Sequence, residues 1–422
     1  MDTIPRFIIN KIFDALKVSP VVFLNGARQA GKSTLVQNLV SKSDPSANFN
    51  LPSTYISLDR AVQMASAAAA PEAFLTTQKT GLIIDEVQLV PELFRALKVV
   101  VDELRLNDKE NANGKYLLTG SANILALPKL SDSLVGRMIV LTLYPFSTAE
   151  ASEGKGNGLE KLLAMDFSNI TDRGINLLQA IQLGTFPEIA NAAEKERGIW
   201  FDGYLTTILQ RDVKQLADLE KISTLPNLLR VLSVRAGGLI NDSDISREVG
   251  LNSVTGKFYR HILKMMFISF DVEPWHRNIG KRMVKAGKGY LADTLLMCHM
   301  LDLNLTDIYH NKPDLFGHVV ENYVATELTK LLSFSNIRAQ LMHFRTSDGK
   351  EVDFILERPD GSIFAIEIKR AESIGIQDFK GIQFFAELAE KDFAGGVVLY
   401  GGKDTVPFGK NLWAVPFHIL WQ

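Results

Sequence analysis

The chain reads as an α/β protein in three parts. Two observations predict this. In the first third, short apolar strands alternate with helical stretches, which argues for a parallel sheet packed with helices. From about residue 175 to 301 the pattern turns mostly helical, and beyond it strands and helices mix again. A length of 422 residues, at roughly 150 per domain, fits three domains. Their boundaries are set at 1–155, 156–305 and 306–422. The polar and glycine-rich stretches 107–114 and 153–158 read as linkers, the second as a domain boundary.

In the first part, Val21, Val22, Phe23 and Leu24 form a buried-strand run. Further strands are expected at 54–58, 82–84, 116–118 and 138–141, with a helix over 91–106. In the middle, helices are expected at 225–234, 242–249 and 253–266, then strands at 267–272 and 282–291 joined by a polar turn. Three helices followed by a hairpin is the order of a winged helix. In the last part, helices are expected at 318–332 and 377–390, and strands at 351–357, 362–369 and 396–400.

Composition removes several classes. At 46% hydrophobic, 22% charged and 9% aromatic, the chain is neither disordered, collagen-like nor a disulfide miniprotein. Lys plus Arg number 46 against 48 Asp plus Glu, a net charge of -2, which excludes a uniformly basic coat but not a local patch. The single cysteine, Cys298, excludes an internal disulfide and fits a reducing compartment. Residues 1–17 lack a signal-peptide core, and no run nears the roughly 18 apolar residues of a membrane span. The expectation is a cytoplasmic protein without a membrane partner.

Gly26, Ala27, Arg28, Gln29, Ala30, Gly31, Lys32 and Ser33 match G-x-x-x-x-G-K-[ST] in full, with a strand before and a helical stretch from Thr34 after. The glycines let backbone N–H groups curl toward phosphates, and the helix N-terminus adds positive potential. Lys32 would neutralise the β- and γ-phosphates, and the Ser33 hydroxyl would bind Mg²⁺. The strand 82–84 ends in Asp85 and Glu86. Asp85 would hold Mg²⁺ through water, and Glu86 would polarise the attacking water. The pair argues for hydrolysis of the nucleotide rather than transfer to a small acceptor.

After the fourth strand come Thr119, Gly120, Ser121, Ala122 and Asn123. Ser121 or Asn123 would sense the γ-phosphate there, or else cap a helix. Arg137 would be an arginine finger supplied to a neighbouring subunit in a homo-oligomer, or a structural ion-pair partner. The role of Arg28 stays open.

With these residues in view, the chain resembles prokaryotic AAA-type P-loop ATPases that carry a C-terminal PD-(D/E)XK nuclease-like domain of unknown function. Gly26 to Thr34 of the loop, the Leu82-Ile-Ile-Asp-Glu-Val-Gln88 stretch and Gly136-Arg137 carry the specific part of the resemblance. Phe186-Pro-Glu188, Gly289-Tyr-Leu-Ala-Asp293 and Glu351-Val-Asp-Phe354 extend it over nearly the whole chain. It implies ATP binding and hydrolysis. Ala27 stands where proline is usual in the loop, a change that leaves the phosphate contacts alone.

The C-terminal part adds Glu321, Asp353, Glu367 and Lys369. Along the expected strand 364–369, Phe364, Ile366 and Ile368 face one way and Glu367 and Lys369 the other. Asp353 and Glu367 would ligate a hard metal ion, with Glu321 completing the shell or orienting Lys369. Lys369 would orient water and stabilise the phosphorane. The order and spacing resemble the PD-(D/E)XK fold of junction resolvases and restriction enzymes. A solvated strand face with one Glu–Lys pair would give the same residues. Residues 315–422 hold 11 Lys and Arg against 14 Asp and Glu, so they carry no general attraction to DNA.

DNA contact would fall mainly to 255–290, where Lys257, Arg260, Lys264, Arg277, Lys281, Arg282, Lys285 and Lys288 face only Asp271 and Glu273. A helix in the major groove and a wing on phosphate would use them, and a protein-docking domain of the same shape would not. Three readings follow. One is an ATPase coupled to a metal-dependent nuclease. Another is an ATP-driven switch whose C-terminal domain binds nucleic acid or protein without cleavage. The weakest is a P-loop kinase.

Overall fold

The computed structural model describes residues 4–41, 54–77, 81–109, 111–121, 134, 136–209, 213, 222–278 and 286–422. The chain forms two compact units, one of residues 6–145 and 265–267, the other mainly of 146–264 and 268–422.

The first unit is a five-stranded parallel sheet. Its strands are β1 (Val21–Asn25), β2 (Thr54–Ser57), β3 (Leu82–Asp85), β4 (Tyr116–Thr119) and β5 (Met138–Thr142), in the order β2-β3-β4-β1-β5. All five strands lie where the apolar runs predict them. β1 and β3 are buried along their whole length, as expected of inner strands of a parallel sheet. The helix Glu92–Asn107 buries Leu93, Phe94, Leu97, Val100 and Val101, one stripe at helical spacing. Phe94 meets the Phe23 ring of β1 edge-on at 6.1 Å. The order sets β4 between β1 and β3, so the ends of all three strands are neighbours.

The second unit has helices Leu225–Val234, Asp242–Glu248 and Ser253–Met265, followed by the antiparallel pair β6 (Ser269–Pro274) and β7 (Lys288–Leu291). The sheet continues through β8 (Gln340–Arg345), β9 (Glu351–Glu357), β10 (Ile363–Lys369), β11 (Phe393–Tyr400), β12 (Val406–Gly409) and β13 (Leu412–Pro416). Its order is β12-β13-β11-β10-β9-β8-β6-β7. The parallel pairing of β6 with β8 joins the hairpin to the C-terminal strands. The strands β8, β12 and β13 had no expectation in the sequence.

β10 departs from simple alternation. Ile363 and Ala365 are buried on the side expected to be polar, in a core with Phe379, Ile382 and Phe385. Only its carboxyl end, from Glu367 onward, is partly open. Both faces are covered because the helix Lys380–Ala389 packs on the second. Trp275 and Phe201 are buried, as core residues should be.

The long helix Pro313–Phe334 buries an ion pair. Lys330 Nζ lies 3.0 Å from Glu327 Oε1, with both side chains 2% exposed or less. Lys330 also donates to the carbonyls of Phe146 and Gly184, both at 2.9 Å. Glu327 Oε2 accepts the Thr148 N–H at 2.9 Å. A buried charge must be paired, so this contact fixes three segments far apart in sequence. Among the described residues no helix is long and apolar enough to cross a membrane.

Lys330→Met strands the Glu327 carboxylate and two carbonyls. The unfolding transition of the second unit should weaken by about 3–5 kcal/mol in urea. A loss below about 1 kcal/mol would show that the pair is not the clamp.

Candidate functional site

The phosphate loop leaves β1 at Asn25 and enters the helix Lys32–Ser41. Gly26 has φ +146°, and a Cβ there would lie 2.1 Å from the Leu143 carbonyl oxygen. Only glycine fits that approach. Gln29 and Gly31 also take positive φ, which turns successive peptides. The Lys32 side chain is buried along the loop and donates to the Gly26 and Ala27 carbonyls at 2.9 and 2.8 Å. Ser33 is half-buried at the helix start, and Thr34 is exposed. Ala27 and Ala30 are buried and Arg28 is half-buried.

Asp85 ends β3 and is buried. Tyr55 of β2 donates its hydroxyl to Asp85 Oδ2 at 2.7 Å, and Thr119 of β4 donates to Oδ1. Burial first, then the bond to Asp85, pushes the Tyr55 phenol up to about 12, so it remains a donor. Glu86 sits in the left-handed region at φ 59°. Its N–H donates to Thr119 Oγ1 at 3.2 Å. Gln88 donates to the Glu86 carboxylate and, at 3.0 Å, to Ser121 Oγ. Burial raises the Glu86 carboxyl above its usual range, against the opposing pull of Lys32 and Gln88.

The fold thus gathers Lys32, Asp85, Glu86 and Ser121. Asn123 lies outside the described residues. Arg137 is committed elsewhere in its unit: Nε lies 2.6 Å from Asp102 Oδ1 and Nη2 2.8 Å from Oδ2. This bidentate pair is the structural alternative.

Sequence reasoning passed over Tyr55, Thr119, Gln88 and Arg6. Arg6 is buried and donates to the Ala30 carbonyl of the loop at 2.9 Å and to the Tyr144 carbonyl at 2.5 Å. It staples the loop to the chain that follows β5. No local pattern marks it, because these two carbonyls belong to the backbone and lie far from it in sequence.

At the C-terminal cluster, Asp353 and Glu367 come together across β9 and β10. Ile366 pairs with Phe354, so the next residues oppose one another on one face. Asp353 Oδ2 accepts the Ile368 N–H at 2.8 Å, and Lys369 Nζ donates to Glu367 Oε1 at 2.8 Å. Burial first, then Glu367 and Glu321, raises the Asp353 carboxyl well above its usual range. Burial likewise raises Glu367. Glu321 accepts from Lys288 Nζ and from the Tyr290 hydroxyl, both at 2.9 Å. Burial opposes the charge of Lys288, but Glu321, Asp353 and Glu351 hold its pKa above the ordinary lysine value. The structure brings Asp353 and Glu367 together, whereas Glu321 accepts from Lys288 and Tyr290. Among the described residues no three or more His, Cys, Asp or Glu are arranged to hold a metal ion. Lys288, Tyr290 and Glu351 were not foreseen as members of the cluster.

The basic segment is also altered by folding. Arg260 is paired with Asp242 and Asp271, Lys264 with Asp271, Arg277 with Glu390, and Lys288 with Glu321 and Glu351. Lys257 is exposed, and Lys281, Arg282 and Lys285 lie outside the described residues.

Replacing Arg6 by Gln should lower nucleotide affinity about tenfold or more, since charged hydrogen bonds contribute about 1.5–3 kcal/mol. Titration with a fluorescent ATP analogue measures it. Unchanged affinity would show that the loop holds its shape without the staple.

Residues 18–152 match the model of an AAA domain. Residues 175–307 and 316–420 match two domains of unknown function, DUF8612 and DUF4143. The uncharacterized proteins Mb2031c of Mycobacterium bovis and Rv2008c of Mycobacterium tuberculosis are each 28% identical over 406 residues, 95% of this chain and 81% of theirs. Among solved structures, the replication initiator DnaA bound to AMPPCP and single-stranded DNA is 14% identical with TM-score 0.30, over 61% of this chain and 86% of that one. Cdc6p from Pyrobaculum aerophilum is 11% identical with TM-score 0.27, over 72% and 96%.

Proposed function

We propose that the chain binds ATP with Mg²⁺ at the loop 26–34 and hydrolyses it, with Glu86 as the base. One observation carries this reading. β4 lies between the parallel strands β1 and β3, so the loop that carries Lys32 and the Asp85–Glu86 pair leave the same edge of the sheet, with Gln88 holding the Glu86 carboxylate. A base and a phosphate-binding cation therefore share one site. The match of residues 18–152 to an AAA domain supports it.

The loop N–H groups and the helix N-terminus would receive the phosphates, as Lys32 turns from the Gly26 and Ala27 carbonyls toward them. Both Asp85 oxygens accept hydrogen bonds from Tyr55 and Thr119. That suits a carboxylate reaching Mg²⁺ through water, with Ser33 as the direct ligand. The ion would neutralise charge developing on the phosphates. Glu86 would accept the proton of the attacking water, and Gln88 keeps its carboxylate oriented. Gln88 also touches Ser121, which links the fourth strand end to the base.

A DNA partner has narrower support. Of the five described cations in 255–290, four are paired within the chain. Attraction to phosphate would fall to Lys257 and to Lys281, Arg282 and Lys285.

Lys32→Ala should abolish binding and turnover. Glu86→Gln should retain ATP affinity and lose turnover about 10²–10⁴-fold. Normal turnover in that variant would remove Glu86 as the base.

Glu86 acts as a base only when ionised. Turnover should therefore fall with decreasing pH along a limb above the ordinary carboxylate range. Gln88→Leu deletes a hydrogen bond that lowers the Glu86 pKa, so the limb should move to higher pH. A kcat–pH profile with no move, or one to lower pH, contradicts the assignment.

A further inference from the structure

The C-terminal carboxylate cluster carries a cation of its own. Lys288 lies on β7, and its side chain is 2% exposed. Its Nζ stands 2.9 Å from Glu321 Oε1 and 2.5 Å from Glu351 Oε1. Those two acids come from the long helix and from the start of β9, so one ammonium closes three elements. Tyr290, two residues on and on the same face of β7, donates to the same Glu321 oxygen. Gly237 walls off this carboxyl: at φ +77°, a Cβ there would come within 2.9 Å of its carbon and both oxygens. The backbone of Lys288 is held in turn by a bridge to Leu239.

The rest of the cluster is compensated too. Lys369 holds Glu367, and Arg345 lies 3.4 Å from Glu351. Glu321, Glu351 and Glu367 therefore each meet a cation, and Asp353 beside them accepts the Ile368 N–H. A divalent ion taken by Glu321 or Glu351 would have to displace the buried Lys288 ammonium from its partners, and one taken by Glu367 would compete with Lys369. The Glu367 Oε2 atom is buried without a hydrogen-bond partner among the described residues.

We propose that the Lys288 ammonium is the resident cation of this cluster, and that the folded chain takes no divalent metal there. The C-terminal strands then form a scaffold that binds without metal-dependent cleavage. The inference is independent of ATP hydrolysis at the loop.

The test is Mn²⁺ binding by the full chain without nucleotide, followed by electron paramagnetic resonance of the free ion. Wild type and an Asp353→Asn, Glu367→Gln double variant should bind Mn²⁺ equally weakly. Lys288→Met frees Glu321 and Glu351 beside Glu367 Oε2. It should gain one site per chain, at least tenfold tighter than any in wild type, and lose it again when combined with the double variant. One wild-type site that vanishes in the double variant would overturn the proposal. So would a folded Lys288→Met protein that gains none. Should Lys288→Met not fold, the comparison of wild type with the double variant still decides.

Discussion

A lysine ammonium withdrawn from water has to find oxygen atoms inside the fold, and this constraint recurs at each decisive place in the chain. Among the described residues three lysines are buried: Lys32, Lys288 and Lys330. Lys32 takes two loop carbonyls, Lys330 takes Glu327 and two carbonyls, and Lys288 takes two carboxylates. A buried cation is tolerated only with such partners. Each set therefore fixes the segments that supply it: the phosphate loop, the joint of residues 146–148 with the long helix, and the hairpin against the C-terminal strands.

The two polar sites share a residue inventory and differ in how it is used. At the loop, Asp85 is held by neutral hydroxyls from Tyr55 and Thr119, and Glu86 by the Gln88 amide. These partners are neutral, and they orient the carboxylates. At the C-terminal cluster, Glu321, Glu351 and Glu367 meet ammonium groups instead. Their charge is already answered within the chain. The contrast is between carboxylates held by neutral groups and carboxylates held by ammonium groups.

The same compensation accounts for the basic segment. Its charge in sequence is a sum over neighbours along the chain, whereas attraction to a polyanion depends on neighbours in space. Asp242 and Asp271 close on Arg260, and Glu390 reaches Arg277 from the far end of the chain. Of the described cations in this segment, four are paired within the chain and Lys257 is exposed.

The sequence by itself determined the five parallel strands, the loop from Gly26 to Ser33, and the Asp85–Glu86 pair at a strand end. These are legible because period, glycine placement and motif spacing are local properties. The pairing of Asp353 with Glu367 and Lys369 was also legible, through strand alternation. Only the tertiary structure decided that Arg6 staples the loop, that Arg137 belongs to Asp102, and that Lys288 enters the carboxylate cluster. The reason is physical. Each of these contacts joins residues separated by tens of positions in the chain, and their energies come from burial and charge in a shared interior rather than from any spacing along it.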